Sequence, residues 1–233
     1  MIVRIRFGKE GKVRWTSHRD VARIWERALR RARLPVSYTA GFSPRPQLSF
    51  GLALPTGCES IAEYLDVVLD SEVDPEQFAT LVRPMLPTGI EVFAAAIPKA
   101  GLGSLQEEVS SCTWEVSVPE WTIDELESAA ADAMAASSLP IERERKGRSV
   151  HDDLRPSLIA LSVFPAATSG GSTLQAELGT RPRGVRPTEL ARVMQVEFGS
   201  TKRTCQWIER DGSKFEPLSL RQAVAAGAED VAS

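Results

Sequence analysis

The feature that most constrains this chain is an alternation between two hydrophobic periods. Short stretches with apolar residues at every second position are interleaved with longer ones in which they recur every three to four. Residues 2–7 (IVRIRF) alternate apolar and basic, as a half-buried strand does. Val13 and Trp15, beyond the turn GKEGK, read as a second short strand or hairpin arm. Residues 17–33 (SHRDVARIWERALRRAR) carry the helical period, opened by Ser17 with Asp20 in capping position and stopped by Pro35. Residues 36–38, 48–54 and 63–69 then read as strands. Asp74 and Pro75 open a second helix, Pro75 suiting the first helical position, and residues 90–97 close the unit as a strand. Strand, helix, two strands, helix, strand is the βαββαβ order of a ferredoxin-like domain, with its helices on one face of an antiparallel sheet.

The same order returns more faintly. Residues 112–118 read as a strand, 121–137 as an Ala-rich helix opened by Thr122 with Glu125, and 141–145 and 158–164 as strands. Residues 174–178, 187–198 and 201–209 follow as strand, helix and strand. The expected class is α+β, with two tandem ferredoxin-like (βαββαβ) units and antiparallel sheets. The first spans residues 1–97, a linker 98–110, the second unit 111–215, and a frayed tail 216–233.

Charge is distributed unevenly over the 233 residues. Residues 1–50 hold twelve Lys/Arg against three Asp/Glu, whereas the remainder holds sixteen against twenty-eight. A local basic face on an acidic protein points to a specific polyanion site. On the helix of residues 17–33, Val21, Ile24, Trp25, Ala28, Leu29 and Ala32 share one side. Arg19, Arg23, Arg27 and Arg30 share the other, flanked by Arg31 and Arg33. Such a face is read either as solvated surface, steadied by Glu26–Arg30 pairing, or as a phosphate-binding stripe. Arginine without matching Glu favours the stripe. In the loop Gly41-Phe42-Ser43-Pro44-Arg45-Pro46 two prolines hold Arg45 extended. Phe42 is placed either to stack on a base or to plug the core below.

Several chemistries find no residues to carry them. No apolar run approaches the ~20 residues of a membrane span, and the amino terminus lacks the pattern of a secretory signal, so a cytoplasmic location with no membrane partner is expected. Cys58, Cys112 and Cys205 are scattered, which fits neither a disulfide framework nor the clustered thiolates of an iron–sulfur site. There is no phosphate-binding Walker loop, dinucleotide fingerprint, GxSxG elbow or HExxH helix. Residues 148–155, with His151, Asp152 and Asp153, read as a connector with a local Arg–Asp pair rather than a metal site. No cofactor is expected. Arg181, Arg183 and Arg186 form a second basic loop, either extending an RNA track or covering the helix near Pro187.

Joined in order, Ser17-His18-Arg19-Asp20-Val21-Ala22-Arg23, residues 26–35, residues 41–50 and residues 54–66 resemble the radical-SAM-linked protein family of unknown function. The likeness is close over roughly the first 70 residues, although Arg19 stands where an apolar residue is expected and adds one charge to the stripe. The resemblance implies a radical SAM enzyme as partner and supplies no catalytic residues. A looser resemblance, at the level of fold, is to CRISPR RNA-processing endonucleases built from ferredoxin-like domains. The leading expectation is a non-catalytic RNA-binding accessory protein, with Arg19, Arg23, Arg27, Arg30, Arg31, Phe42 and Arg45 on a tRNA or rRNA. The alternatives are metal-independent RNA cleavage by His18, whose place at a helix start could leave it a usable base, and a purely structural docking subunit.

Overall fold

The computed structural model describes residues 1–98, 103–145, 147–166 and 171–218. Strand β1 (Ile2–Lys9) turns Val3, Ile5 and Phe7 into the core. A 3-10 turn (Gly11–Trp15) leads to helix α1 (His18–Arg31), then β2 (Leu48–Phe50), β3 (Glu59–Val68), α2 (Pro75–Val82) and β4 (Ile90–Ala96). A short helix α3 (Leu105–Glu108) precedes β5 (Val109–Val118) and α4 (Ile123–Ala135). The hairpin of β6 (Pro140–Arg145) and β7 (Arg148–Asp153) comes next, then β8 (Leu158–Pro165) and β9 (Ser172–Gly179). Helix α5 (Pro187–Met194), β10 (Thr201–Arg210) and β11 (Ser213–Phe215) complete the described chain.

The protein is α+β, with a mostly antiparallel sheet. Its main sheet runs β4-β1-β3-β10-β5-β9-β8, with β2 added to β3 and β11 to β10. Every pair is antiparallel except β3 with β10, which meet in parallel at Glu59–Lys202 and Ser60–Arg203. The halves therefore share one sheet instead of holding separate ones as expected. Two cores lie beneath their helices. Val21, Trp25, Ala28 and Leu29 of α1 and Phe78, Ala79 and Val82 of α2 close over β1, β3 and β4, with Trp25 edge-on to Phe7 at 5.0 Å. Leu126, Ala130 and Ala133 of α4 and Leu190 of α5 close over Trp114, Val116, Leu174, Ala176 and Leu178. Each fully buried Val, Leu or Phe side chain among these contributes about 1.5–3 kcal/mol.

Both cores lie on one side of the sheet. Glu63 alternates in register with Leu65 and Val67 under α1, while Arg203 lies opposite Trp114, which faces α4. These two side chains meet, Arg203 Nη2 donating to Glu63 Oε1 at 2.6 Å. The other side carries a small third cluster, Ala62, Tyr64 and Leu105, beside ion pairs. There Arg4 grips Asp66 through Nε and Nη2 at 2.7 and 2.8 Å, and Arg6 donates to Glu216 at 3.1 Å.

Several expectations change. Val13 and Trp15 lie on the 3-10 turn and not on a strand. Residues 36–38 make only isolated bridges, Val36 to Leu69 and Tyr38 to Pro46. The strand expected over 48–54 ends at Phe50, because β10 takes the next stretch of the β3 edge, and Leu54 turns into the second core with Leu52 packed against it. Residues 148–153 form a strand paired with β6. Of the expected linker, residues 99–102 lie outside the described residues, while Leu105 is buried and β5 begins at Val109. Of the expected tail, residues 219–233 lie outside the described residues, and Glu216 and Pro217 are tied to the sheet by Arg6 and Arg4.

Candidate nucleic-acid interface

Helix α1 sets the site. Ser17 caps it, its hydroxyl accepting from Asp20 N at 3.2 Å and donating to the Asp20 carboxylate at 2.7 Å. Asp20 in the first turn and Arg30 and Arg31 in the last both suit the helix dipole. With Val21, Trp25, Ala28 and Leu29 committed to the core, Arg19, Arg23, Arg27, Arg30 and Arg31 are exposed on the outer side. Neighbouring arginines one turn apart stand about 5–6 Å from each other at Cβ.

These arginines are almost free of partners. Arg23 approaches Asp20 at 3.5 Å, an exposed pair worth little. Among the described residues, Arg19, Arg27, Arg30, Arg31, Arg33 and Arg45 have neither an ion pair nor a side-chain hydrogen bond, and the expected Glu26–Arg30 pair is not formed. Several arginines elsewhere are engaged, as at Arg4 with Asp66, Arg203 with Glu63 and Arg183 with Asp152 and Glu189. The ridge gathers six unpaired arginines, Arg33 and Arg45 included, within residues 19–45.

The loop after α1 stands beside the end of this ridge. Thr39 N donates to Arg45 O at 2.8 Å and Arg45 N to Thr39 Oγ1 at 3.0 Å, so residues 39–45 form a closed loop. Ser37 N donates to Val68 O, which fixes the loop at the end of the sheet where α1 finishes. Gly41, at φ 123°, adopts a conformation that favours glycine. Phe42 is fully exposed at 110% relative accessibility and plugs no core, and Tyr38 is half exposed.

His18 lies at the opposite end of α1, edge-on to Phe50 at 5.2 Å. It lines a narrow slot with Lys9, Val21 and Glu63, and no side chain hydrogen-bonds to it among the described residues. Lys9 is buried there, its ammonium donating to Thr16 O at 2.8 Å and Arg14 O at 3.3 Å, and burial pushes its pKa down.

The second basic loop divides. Arg183 donates to Asp152 Oδ2 at 2.6 Å, Glu189 Oε2 at 2.8 Å and Gly184 O at 3.2 Å. It latches the β6–β7 hairpin to α5 and is not available to a ligand. This hydrogen bond from Arg183 holds the Asp152 carboxyl below its ordinary pKa. Arg181 and Arg186 remain exposed, Arg186 at the rim of a cavity of about 160 Å³ lined by Leu52, Pro55, Trp114 and Arg203. Cys58, Cys112 and Cys205 are free thiols, all raised in pKa, first by burial. Among the described residues no three His, Cys, Asp or Glu side chains converge as a metal site, and no helix is long and apolar enough to cross a membrane.

The model of a family described as "Uncharacterized protein conserved in bacteria (DUF2344)" matches residues 3–187. The chain belongs to the DUF2344 family. The match takes in α1, the loop of residues 39–45 and the basic loop before α5 in this DUF2344 protein. No curated protein matches it. Among solved structures, a chain of the "Crystal Structure of a Cbf5-Nop10-Gar1 Complex" is similar at 9% identity and TM-score 0.47, covering 88% of this chain and 48% of that one. The DUF2344 chain thus spans about half the length of that structure's chain, and a likeness at this level assigns no activity.

Proposed function

We propose that this protein is a non-catalytic RNA-binding accessory that presents a tRNA or rRNA to a radical SAM enzyme. The observation that carries the RNA part is the ridge of Arg19, Arg27, Arg30 and Arg31, continued by Arg33 and Arg45, exposed and without carboxylate partners among the described residues. Unpaired guanidinium groups one helical turn apart match successive phosphates, which they bind bidentately. The closed loop bearing Phe42 adds an aromatic face at the ridge's end.

The radical SAM partner rests on the resemblance carried by residues 17–23, 26–35, 41–50 and 54–66. Separate, proton-retaining cysteines are in keeping with iron–sulfur chemistry residing on another polypeptide. Each half is read as a ferredoxin-like unit. In support, the first half orders its strands β4-β1-β3-β2 and the second β10-β5-β9-β8, which in each case is fourth, first, third, second. The β6–β7 hairpin is then an insertion into the second unit.

The test is retention of total cellular RNA by the purified protein across a salt series. A discrete RNA should be held with strong salt dependence, and Arg27→Glu with Arg30→Glu should abolish retention. Wild-type affinity in that double variant sinks the site. Cleavage of the RNA in EDTA, lost in His18→Ala, would favour the nuclease alternative. Docking to a radical SAM protein that survives nuclease treatment, with no RNA retained, would favour the structural one.

A further inference from the structure

Trp15 is 64% exposed, yet it is held on all its other sides. Buried Lys9 clamps the carbonyls on either side of it, those of Arg14 and Thr16. Gly57 N donates to Arg14 O at 2.9 Å, and the indole lies directly over Gly57. A Cβ at Gly57 would stand 2.9 Å from the Trp15 ring, so only glycine leaves the indole room; its φ of 91° asks for glycine as well. The Arg14 guanidinium lies 5.4 Å from the indole centroid and is itself tied to Glu59 at 3.3 Å. An indole that serves packing alone is covered; this one is braced by Gly57 and by the Arg14 guanidinium over its ring, and yet stays 64% exposed. It stands two residues before the Ser17 cap, at the start of the arginine ridge, while Phe42 stands at the other end. Between the two lies α1, whose fourteen residues span about 21 Å.

We propose that Trp15 is a stacking platform for an unpaired base, and that the ligand of the ridge is therefore single-stranded RNA. Stacked duplex bases present only their edges, so rings at both ends of a phosphate-binding ridge have a use only where bases are splayed out. This rests on the RNA-binding reading and adds to it the strand state of the ligand and the residue that recognises it.

The experiment measures binding of a short single-stranded oligoribonucleotide, and of the same sequence annealed into a duplex, to the full chain and three variants. Trp15→Ala should weaken single-strand binding by about 5- to 150-fold, the worth of one stacked base. Trp15→Phe should recover most of it, and neither should alter the salt slope, because stacking releases no counterions. Indole fluorescence should be quenched by the single strand in the wild type and much less in Trp15→Phe. Since Trp15 is exposed, thermal melts of both variants should match the wild type. Undiminished binding by Trp15→Ala, or tighter binding of the duplex, overturns the proposal while leaving RNA binding intact. Wild-type affinity in the third variant, Arg27→Glu with Arg30→Glu, overturns the RNA site itself.

Discussion

Arg203 and Glu63 meet at 2.6 Å beneath the one parallel joint of the sheet, and both are buried. Arg203 also donates to Leu52 O at 2.8 Å and lies 5.4 Å from the Trp114 ring, so it touches both halves of the protein. Two paired residues on each strand give the joint little backbone adhesion, and this ion pair supplies a specific lock. Glu63→Ala strands a buried guanidinium and should destabilise by about 3–5 kcal/mol. Glu63→Leu combined with Arg203→Met should recover much of that loss. Urea unfolding midpoints decide the matter, and equal losses in single and double variants would refute the lock.

Trp25 is fully buried, and its Nε1–H has no acceptor among the described residues. Trp25→Ala should cost about 3–5 kcal/mol through lost burial and a cavity. Trp25→Phe should cost far less, because it removes an unpaired buried donor along with the lost volume. Thermal unfolding of both variants tests the ordering.

The hydrogen bond from Arg183 lowers the pKa of Asp152, which fixes the sign of a pH effect. A carboxyl depressed below its unfolded value of about 3.9 contributes stability that is full above that value. The contribution is lost as pH falls through the lowered pKa. Asp152→Asn should therefore melt earlier than the wild type at neutral pH and approach it in strong acid. The melting temperature followed from neutral pH downward is the measurement.

Cys205 is pushed up to about 12, first by burial and then by the Glu216 carboxylate. Its alkylation should be slow at neutral pH and accelerate about tenfold per pH unit toward that value, because the thiolate is the nucleophile. Glu216→Gln should speed the reaction at fixed pH. Mass-spectrometric mapping separates it from buried Cys58 and Cys112.

Helix α1 was legible because period, cap and stop agreed: Ser17 accepts from Asp20 as its spacing implies, and the arginines fall on the outer side. The loop around Phe42 was legible as a loop but neither as exposed nor as closed, since Phe42 suited stacking and core equally and Thr39 and Arg45 carry no pattern that announces their pairing. The joint of β3 with β10 was invisible, because a two-residue parallel contact between segments some 140 positions apart leaves no period. Distance in sequence also hid the role of Arg183, whose partner Asp152 lies 31 positions away on another element. Trp15 was misread as strand because its turn depends on Lys9 being buried and on Gly57 giving way, neither of which is written locally.

The parallel sense of β3 and β10 has a mechanical consequence. Two halves joined this way are related by a sideways shift, so their helices rise from the same floor like posts on a plank. From β1, under α1, to β9, which leads into Arg181 and Arg186, is four strand steps, about 19 Å. That interval belongs to the hydrogen-bonded floor and not to any surface side chain. The molecule is in effect a gauge: a polyanion that touches both posts must match a length the sheet has already set, however its loops are altered.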